Sequence, residues 1–388
     1  MSSIQSEIDS CVMSSEVSFA GCPLEQLVAD VGRAALHSNS EATWPAGAWY
    51  HCMQAGVLRW FAPVSKGGIE LGGWGWTPSE RLRGLMAIAS ADLTTAFVLT
   101  QSVAAITRMV GSDNSLLHEQ VLPDVLSGEQ FTTVGISHLA TSRQHLSRPV
   151  LRAEPVHGSL EAWSPEPEAY VLDGTAPWVT GVRVADVVVV GAVCDNGQEI
   201  LFAVPVDLPG IHCGDGTDLM ALSGSGTDQM RFNRVKVGSE WIVSGPADPA
   251  KKVTNQGGST GGTGSLQTSA LSLGLSRSAI GYLRRNCQQR EELLRPTAAF
   301  EKELDKLERE LLSAAEGQSP YSAMQIRSLA NDLVIRSTQA ALMAAKGAGF
   351  VQHHSVGRWC REAMFFLVWS CPDELAISRV CELSGAAS

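Results

Sequence analysis

YVLDGTAPWVTGVRVADVVVVGAV, residues 170–193, is the stretch whose reading decides the fold. An apolar run stopped at Asp173-Gly174, a second run holding Pro177, Trp178, Val179, Thr180 and Gly181, and the run 186–193 read as three consecutive strands. The middle run ends in an aromatic, a hydroxyl and a glycine. Such an end presents a flat apolar face, a donor and open backbone, a set that suits a planar polar ring system.

Working outward, the strand period extends to 131–136, 150–156, 199–206 and 230–237, punctuated by Pro205, Pro209 and glycines between 210 and 226. On both sides the period changes to helix. Upstream, helices are expected from Cys22-Pro23 onward with Leu24, Leu27, Val28 and Val31 on one face, then over 48–58, 78–91 and 93–109, with 63–76 a glycine-rich loop. Downstream, helices are expected over 266–287, along Phe300, Leu304, Leu307 and Leu311, over 324–346 and over 356–367, with a tail helix from about Glu374. The chain therefore divides into an N-terminal helical domain (1–129), a middle β-domain (130–245), a Gly/Ser/Thr-rich linker (246–265) and a C-terminal helical domain (266–388).

Composition narrows the function classes. Of 388 residues, 44% are hydrophobic and 18% charged, which is globular, and the formal net charge of −11 with no basic run argues against a nucleic-acid partner. No uninterrupted apolar run of membrane-spanning length is read, and the first 20 residues have neither a signal-peptide nor an anchor pattern, so no membrane partner is expected. The nine cysteines include no CxxC pair; reduced thiols, no metal site and a cytoplasmic location are expected. The glycines of 257–264 lack the Gly-Lys-Ser/Thr end of a phosphate loop. Ser223-Gly224-Ser225-Gly226 reads as a turn between strands, and Ser137, His138 and Asp186 as a triad that nothing in the sequence brings together.

Four further stretches are informative in their order. They are Ala55-Gly56-Val57-Leu58 followed by Ala62-Pro63, Gly67-Gly68 and Leu71; Phe131 to Ser137; Gly174 followed by Trp178-Val179-Thr180 in a G-x-x-x-W-[IV]-T pattern; and Gly347-Ala348-Gly349-Phe350 with Arg358 and Arg361-Glu362-Ala363. Together they resemble the acyl-CoA dehydrogenase superfamily of FAD-dependent flavoproteins, from about residue 24 to 377. The resemblance implies an α+β multidomain fold, with an N-terminal all-α domain, a small middle β-domain (barrel or sandwich) and a C-terminal four-helix bundle. It implies FAD, or alternatively FMN, between the β-domain and the bundle. Trp178 would flank the flavin, Thr180 would bond its reactive edge, and main-chain groups around Val134, Gly135 and Ser137 would meet the pyrimidine side. Gly347 and Gly349 would form the glycine turn, and Arg290 would reach the FAD of a neighbouring subunit in a homo-oligomer, a dimer or tetramer. The phenylalanine-glycine expected after Arg290 is Leu293-Leu294, and the glutamine expected before the glycine turn is Met343.

The largest departure concerns the catalytic acid. Family members remove the proton α to an acyl thioester with a glutamate whose place here is taken by Ser370, too weak a base for the task. The alternative carboxylate position falls on Gly264, and its companion arginine on Ser265. Replacement candidates are Asp373, Glu374, His353 and His354, although Asp373 and Glu374 read better as charges at the start of the tail helix and the histidines as surface residues. The expectation is an acyl-CoA dehydrogenase-like oxidoreductase whose base is displaced or lost, acting on acyl-CoA or a related small molecule. Two alternatives stand beside it: a flavin-dependent monooxygenase on the same scaffold, and a non-catalytic binding or assembly subunit.

Overall fold

The computed structural model describes residues 24–140, 149–157, 167–248, 266–369, 371 and 373–385; the linker expected over 246–265 and Ser370 fall wholly or largely outside them. The N-terminal block holds α1 (Leu24–Glu41), α2 (Ala46–Gln54), α3 (Pro78–Ala91), α4 (Leu93–Gly111) and α5 (Leu122–Ser127). Local chemistry sets the helix starts. Thr77 and Glu80 form a reciprocal capping box with Pro78 in the first turn of α3, and the Asp92 carboxylate accepts from the Thr95 amide to cap α4. By length and composition α4 is the described helix apolar enough to cross a bilayer, a length the sequence reading had not registered; 72% of its apolar window is buried inside the molecule. The stretch 63–76, read as loop, contains a two-stranded hairpin of β1 (Ser65–Lys66) and β2 (Ile69–Glu70). Gly67 and Gly68 turn it at φ +59° and +87°, the backbone a tight hairpin needs.

The middle block is an eight-stranded sheet containing β3 (Thr132–Gly135), β4 (Leu151–Val156), β5 (Ala169–Val179), β6 (Val187–Cys194), β7 (Glu199–Pro205), β8 (Ile211–Cys213), β9 (Asp228–Gly238) and β10 (Ile242–Ala247), with a short helix α6 (Ser137–Ala140) after β3. The strand order is β10-β7-β6-β4-β5-β9-β8, and β3 pairs in parallel with β6. The opening stretch forms two strands rather than three, because Asp173-Gly174 lies inside β5. Gly174 takes φ +130°, the pairing with β9 slips there, and a Cβ would sit 2.2 Å from the Val150 carbonyl oxygen, so the glycine makes a bulge that keeps the strand continuous.

The valine run of β6 has apolar partners on both faces. Val187 and Val189, with Leu201 and Ala203 of β7, belong to the core shared with the helices. Val188, Val190 and Ala192, with Ile200, Phe202 and Val204, join side chains from β4, β5 and β9 in the sheet's own core. A single sheet can gather one face in this way only by curling on itself.

The C-terminal block comprises α7 (Leu266–Asn286), α8 (Leu294–Ala315), α9 (Ala323–Ala345), α10 (Ser355–Phe365) and α11 (Asp373–Ser384). Leu304, Leu307 and Leu311 form the buried stripe of α8. Its polar side carries ion pairs such as Arg277–Glu308 and Arg336–Glu303, half-exposed and worth at most about 1 kcal/mol each. The two helical blocks share one core. Where they meet, Gly274 of α7 packs against α3 so closely that a Cβ would lie 2.5 Å from the Met86 carbonyl oxygen and 2.7 Å from the Ala89 Cβ, and the Ser278 hydroxyl donates to the Ser90 carbonyl.

Gly274→Ala sets helix propensity, a gain of up to about 1 kcal/mol, against overpacking that costs about 1–3 kcal/mol. The clash involves backbone, so the net result expected from urea denaturation is lower stability. A variant at least as stable as wild type would show that this contact yields.

Candidate functional site

The site is built from the end of β5, the end of β3 and the helices that face them. Most of β5 is buried or half-buried, yet Trp178 is 44% exposed, a large aromatic held at the surface of a sheet strand. Its neighbour Val179 points into the sheet core. Thr180 is buried, and its hydroxyl lies 3.0 Å from that of Thr227, which in turn lies 2.8 Å from that of Ser225. Gly181 follows at φ +64°, its amide donating to the Ser225 carbonyl at 2.9 Å; a Cβ would stand 2.7 Å from the Phe131 ring. Glycine is required there by both the backbone and the ring.

β3 lies alongside. Val134 and Gly135 are buried, and a Cβ on Gly135 would come within 3.0 Å of Val179. Thr132 donates to the Val187 carbonyl at 2.9 Å, whereas the buried Thr133 hydroxyl has no partner among the described residues. Ser137 opens α6, and the His138 ring meets the Gly191 carbonyl at 2.8 Å. Asp186 accepts from the Phe131 amide at 2.7 Å. The imagined Ser137–His138–Asp186 triad is therefore not assembled.

α4 packs on β3 and also carries Phe97 into an aromatic cluster. Phe97 meets Phe365 and Trp369 edge-on, each at 5.0 Å between ring centroids, while Phe365 and Trp369 stack at 5.2 Å. The main chain leading to position 370 is held from beneath. Arg327 of α9, fully buried, donates from Nη2 to the carbonyls of Phe366 at 3.0 Å and Trp369 at 2.9 Å, and Asn331 donates to Phe366 at 3.1 Å. Burial pushes the Arg327 guanidinium down to about 10. Its Nε and Nη1 and the Asn331 Oδ1 have no hydrogen-bond partner among the described residues.

Ser370, Gly264 and Ser265 lie outside the described residues. Glu374 and Asp373 are exposed in the first turn of α11, where a carboxylate meets the positive end of a helix. His353 is exposed at φ +72°, and His354 caps α10 by accepting from the Val356 amide at 3.2 Å. Arg290 is engaged within its own chain, with Glu292 at 3.0 Å and the Ala344 carbonyl at 3.1 Å. Gly347 stands in a short 3-10 turn, and Gly349 is buried where a Cβ would meet Leu342 at 2.8 Å.

Three features escaped the sequence reading. Ser225 falls in a stretch that reads as a turn, and Thr227 between that turn and the strand expected over 230–237. Arg327 and Asn331, spaced by four on an apolar helix face, were an available signal. Glu362, quoted only as part of Arg361-Glu362-Ala363, is 2% exposed and 3.3 Å from Arg358. Burial pushes its carboxyl from the ordinary 4.5 up to about 7, reinforced by Asp92 and opposed by Arg358.

No protein-family model matches the chain. A probable acyl-CoA dehydrogenase of Bacillus subtilis is 24% identical over 228 residues, 54% of this chain and 59% of that protein, so the match spans about three fifths of the relative's length. A cyclohex-1-ene-1-carbonyl-CoA dehydrogenase of Syntrophus aciditrophicus is 22% identical over 90% of this chain and 84% of its own. Among solved structures, butyryl-CoA dehydrogenase of Megasphaera elsdenii superposes with a TM-score of 0.75 at 18% identity, covering 95% of this chain and all of that one. Its fold is the one described above. The chain thus has the fold of butyryl-CoA dehydrogenase and is similar in sequence to acyl-CoA dehydrogenases.

The raised Glu362 value carries a sign. The folded state holds this proton more tightly than the unfolded chain, so the acid's contribution to stability is greatest below pH 4.5, falls as pH rises through 4.5 to about 7, and is level above. The change is on the order of 3 kcal/mol. Urea denaturation at pH 5 and pH 8 should show Glu362→Gln losing less stability with rising pH than wild type. Parallel pH dependences in the two proteins would contradict this.

Proposed function

We propose that this chain binds a flavin, FAD or alternatively FMN, on the β5 platform and works as an acyl-CoA dehydrogenase-like oxidoreductase on an acyl thioester or a related small molecule, with its base displaced from the family position. The observation that carries the reading is Trp178, exposed on a buried strand and followed by a buried hydroxyl at Thr180. The residues present suit such a ligand. An indole face offers contact to a planar ring, and the unpartnered Thr133 hydroxyl lies buried on the adjoining strand β3. A bound flavin would supply the acceptor for a hydride.

The chain's own groups then have distinct tasks. Trp178 would offer its indole face to the ring, Thr180 and the main chain of 134–137 would supply hydrogen-bonding groups, and the Phe97, Phe365 and Trp369 rings would help exclude water. Arg327 and Asn331 hold the carbonyls of Phe366 and of Trp369, the last described residue before position 370. Proton removal α to the thioester requires an acid elsewhere, because Ser370 supplies none. Glu362 is not assigned that role: it is enclosed and paired with Arg358. The reading extends to a cytoplasmic homo-oligomer, dimer or tetramer, a state that would cover the exposed Met343, Phe350 and Val351 around the glycine turn.

The absorbance spectrum of the purified protein, before and after adding FAD or FMN, tests the first step. Flavin uptake is expected, and Trp178→Ala should weaken it about tenfold. Anaerobic mixing with a panel of acyl-CoA thioesters should bleach the bound flavin. No uptake of either flavin would refute the proposal, and oxygen consumption only with added reduced flavin would move the enzyme to the monooxygenase class.

A further inference from the structure

Resting on the flavin reading above, we propose that Ser225 and Thr227 are positioning residues: with Thr180 they form a one-way chain of hydroxyls that makes Thr180 a hydrogen-bond donor toward the platform ligand. The distances are 2.8 Å from Ser225 to Thr227 and 3.0 Å from Thr227 to Thr180. All three side chains are buried. Among the described residues none of the three hydroxyl oxygens has another hydrogen-bond partner.

The direction follows from counting protons. Three hydroxyls in a row hold three protons and make two links, so one proton is left to point outward. Directed outward at Ser225, it would enter a fully buried site with no acceptor beyond Thr227. Left on Thr227, it would find no third partner. At the Thr180 end it emerges two residues from Trp178, the exposed ring of the strand. Ser225 therefore donates to Thr227, Thr227 to Thr180, and Thr180 to the ligand. Each donation polarises the next hydroxyl and strengthens the last donor in the row.

The far end of the chain is immobile. The Ser225 amide donates to the Leu222 carbonyl at 2.8 Å and the Ser225 carbonyl accepts from Gly181 at 2.9 Å. The turn that carries it presses on the N-terminal block, where a Cβ on Gly224 would stand 2.5 Å from the Thr43 carbonyl oxygen. Thr180 is thus oriented by a residue 45 positions away in sequence, through side chains that need not touch the ligand.

A donor aimed at the edge of a flavin that gains negative charge on reduction stabilises the reduced form more than the oxidised one. Thr227→Val keeps the shape and removes the link. In the flavin-loaded protein it should make the midpoint potential more negative and weaken flavin binding about threefold to tenfold, while Thr227→Ser restores both. Ser225→Ala, which leaves the link but not its direction, should shift the potential the same way by less. It also keeps the test available if Thr227→Val does not fold. A potential and affinity unchanged from wild type in Thr227→Val, or in Ser225→Ala where that is the only folded variant, would overturn the chain. So would a Thr227→Ser protein that behaves as Thr227→Val does. Wild-type protein that takes up no flavin would instead overturn the parent reading, and this one with it.

Discussion

Four consecutive valines must be kept from water on both faces of one strand, and the architecture follows from that requirement. β6 cannot sit at an edge or under solvent, so β7 closes one side of it and β3 and β4 share the other. Even-numbered side chains are covered when the sheet curls over them, and odd-numbered ones when the helical blocks close on the opposite face. The two helical blocks, separated in sequence by the whole sheet, are thereby brought to one surface. Their mutual contact through Gly274 and Ser278 then makes a single core. α4 packs on β3, and Val134 of that strand belongs to the same core, so the sheet and the helices meet there.

Against this apolar background the buried polar groups stand out, since each must be bonded or leave a penalty of about 1–3 kcal/mol. Arg327 and Asn331 donate to the Phe366 and Trp369 carbonyls just past α10, and in doing so hold the turn that carries Trp369. Glu362 holds a proton near neutrality because burial outweighs the attraction of Arg358. The hydroxyls of Ser225, Thr227 and Thr180 are satisfied largely by one another. Arg327, Asn331 and the Ser225–Thr227–Thr180 row connect segments far apart in sequence, whereas Glu362 pairs within its own helix. The polar interior therefore ties the sheet and the C-terminal helices to specific points of the chain, where apolar packing alone would tolerate small slips.

Much of this was legible from residue order. The helix–sheet–helix division follows from the change of hydrophobic period, and the ends of α3 and α4 from Thr77, Pro78, Glu80 and Asp92. Trp178 and Thr180 stand out because an aromatic and a hydroxyl beside glycine are unusual at a strand end. Legibility failed where the deciding contact was remote. Asp173-Gly174 reads as a turn by local chemistry, yet the pairing of β5 with β4 and β9 on either side absorbs it as a bulge. The glycine loop of 63–76 hides a hairpin because its strands are only two residues each.

The sequence by itself determined most of which segments are helix and which are sheet, and that β6 is central. Those properties depend on side-chain type and on neighbours within a turn or two. Tertiary structure alone decided that Arg327 grips the approach to position 370, that Glu362 is enclosed, that Arg290 turns back to its own chain, and that Ser225 is linked to Thr180. The reason is physical: a hydrogen bond or a shifted pKa depends on what lies within a few ångströms, and for these groups most of those neighbours come from elements that only the folded chain brings together.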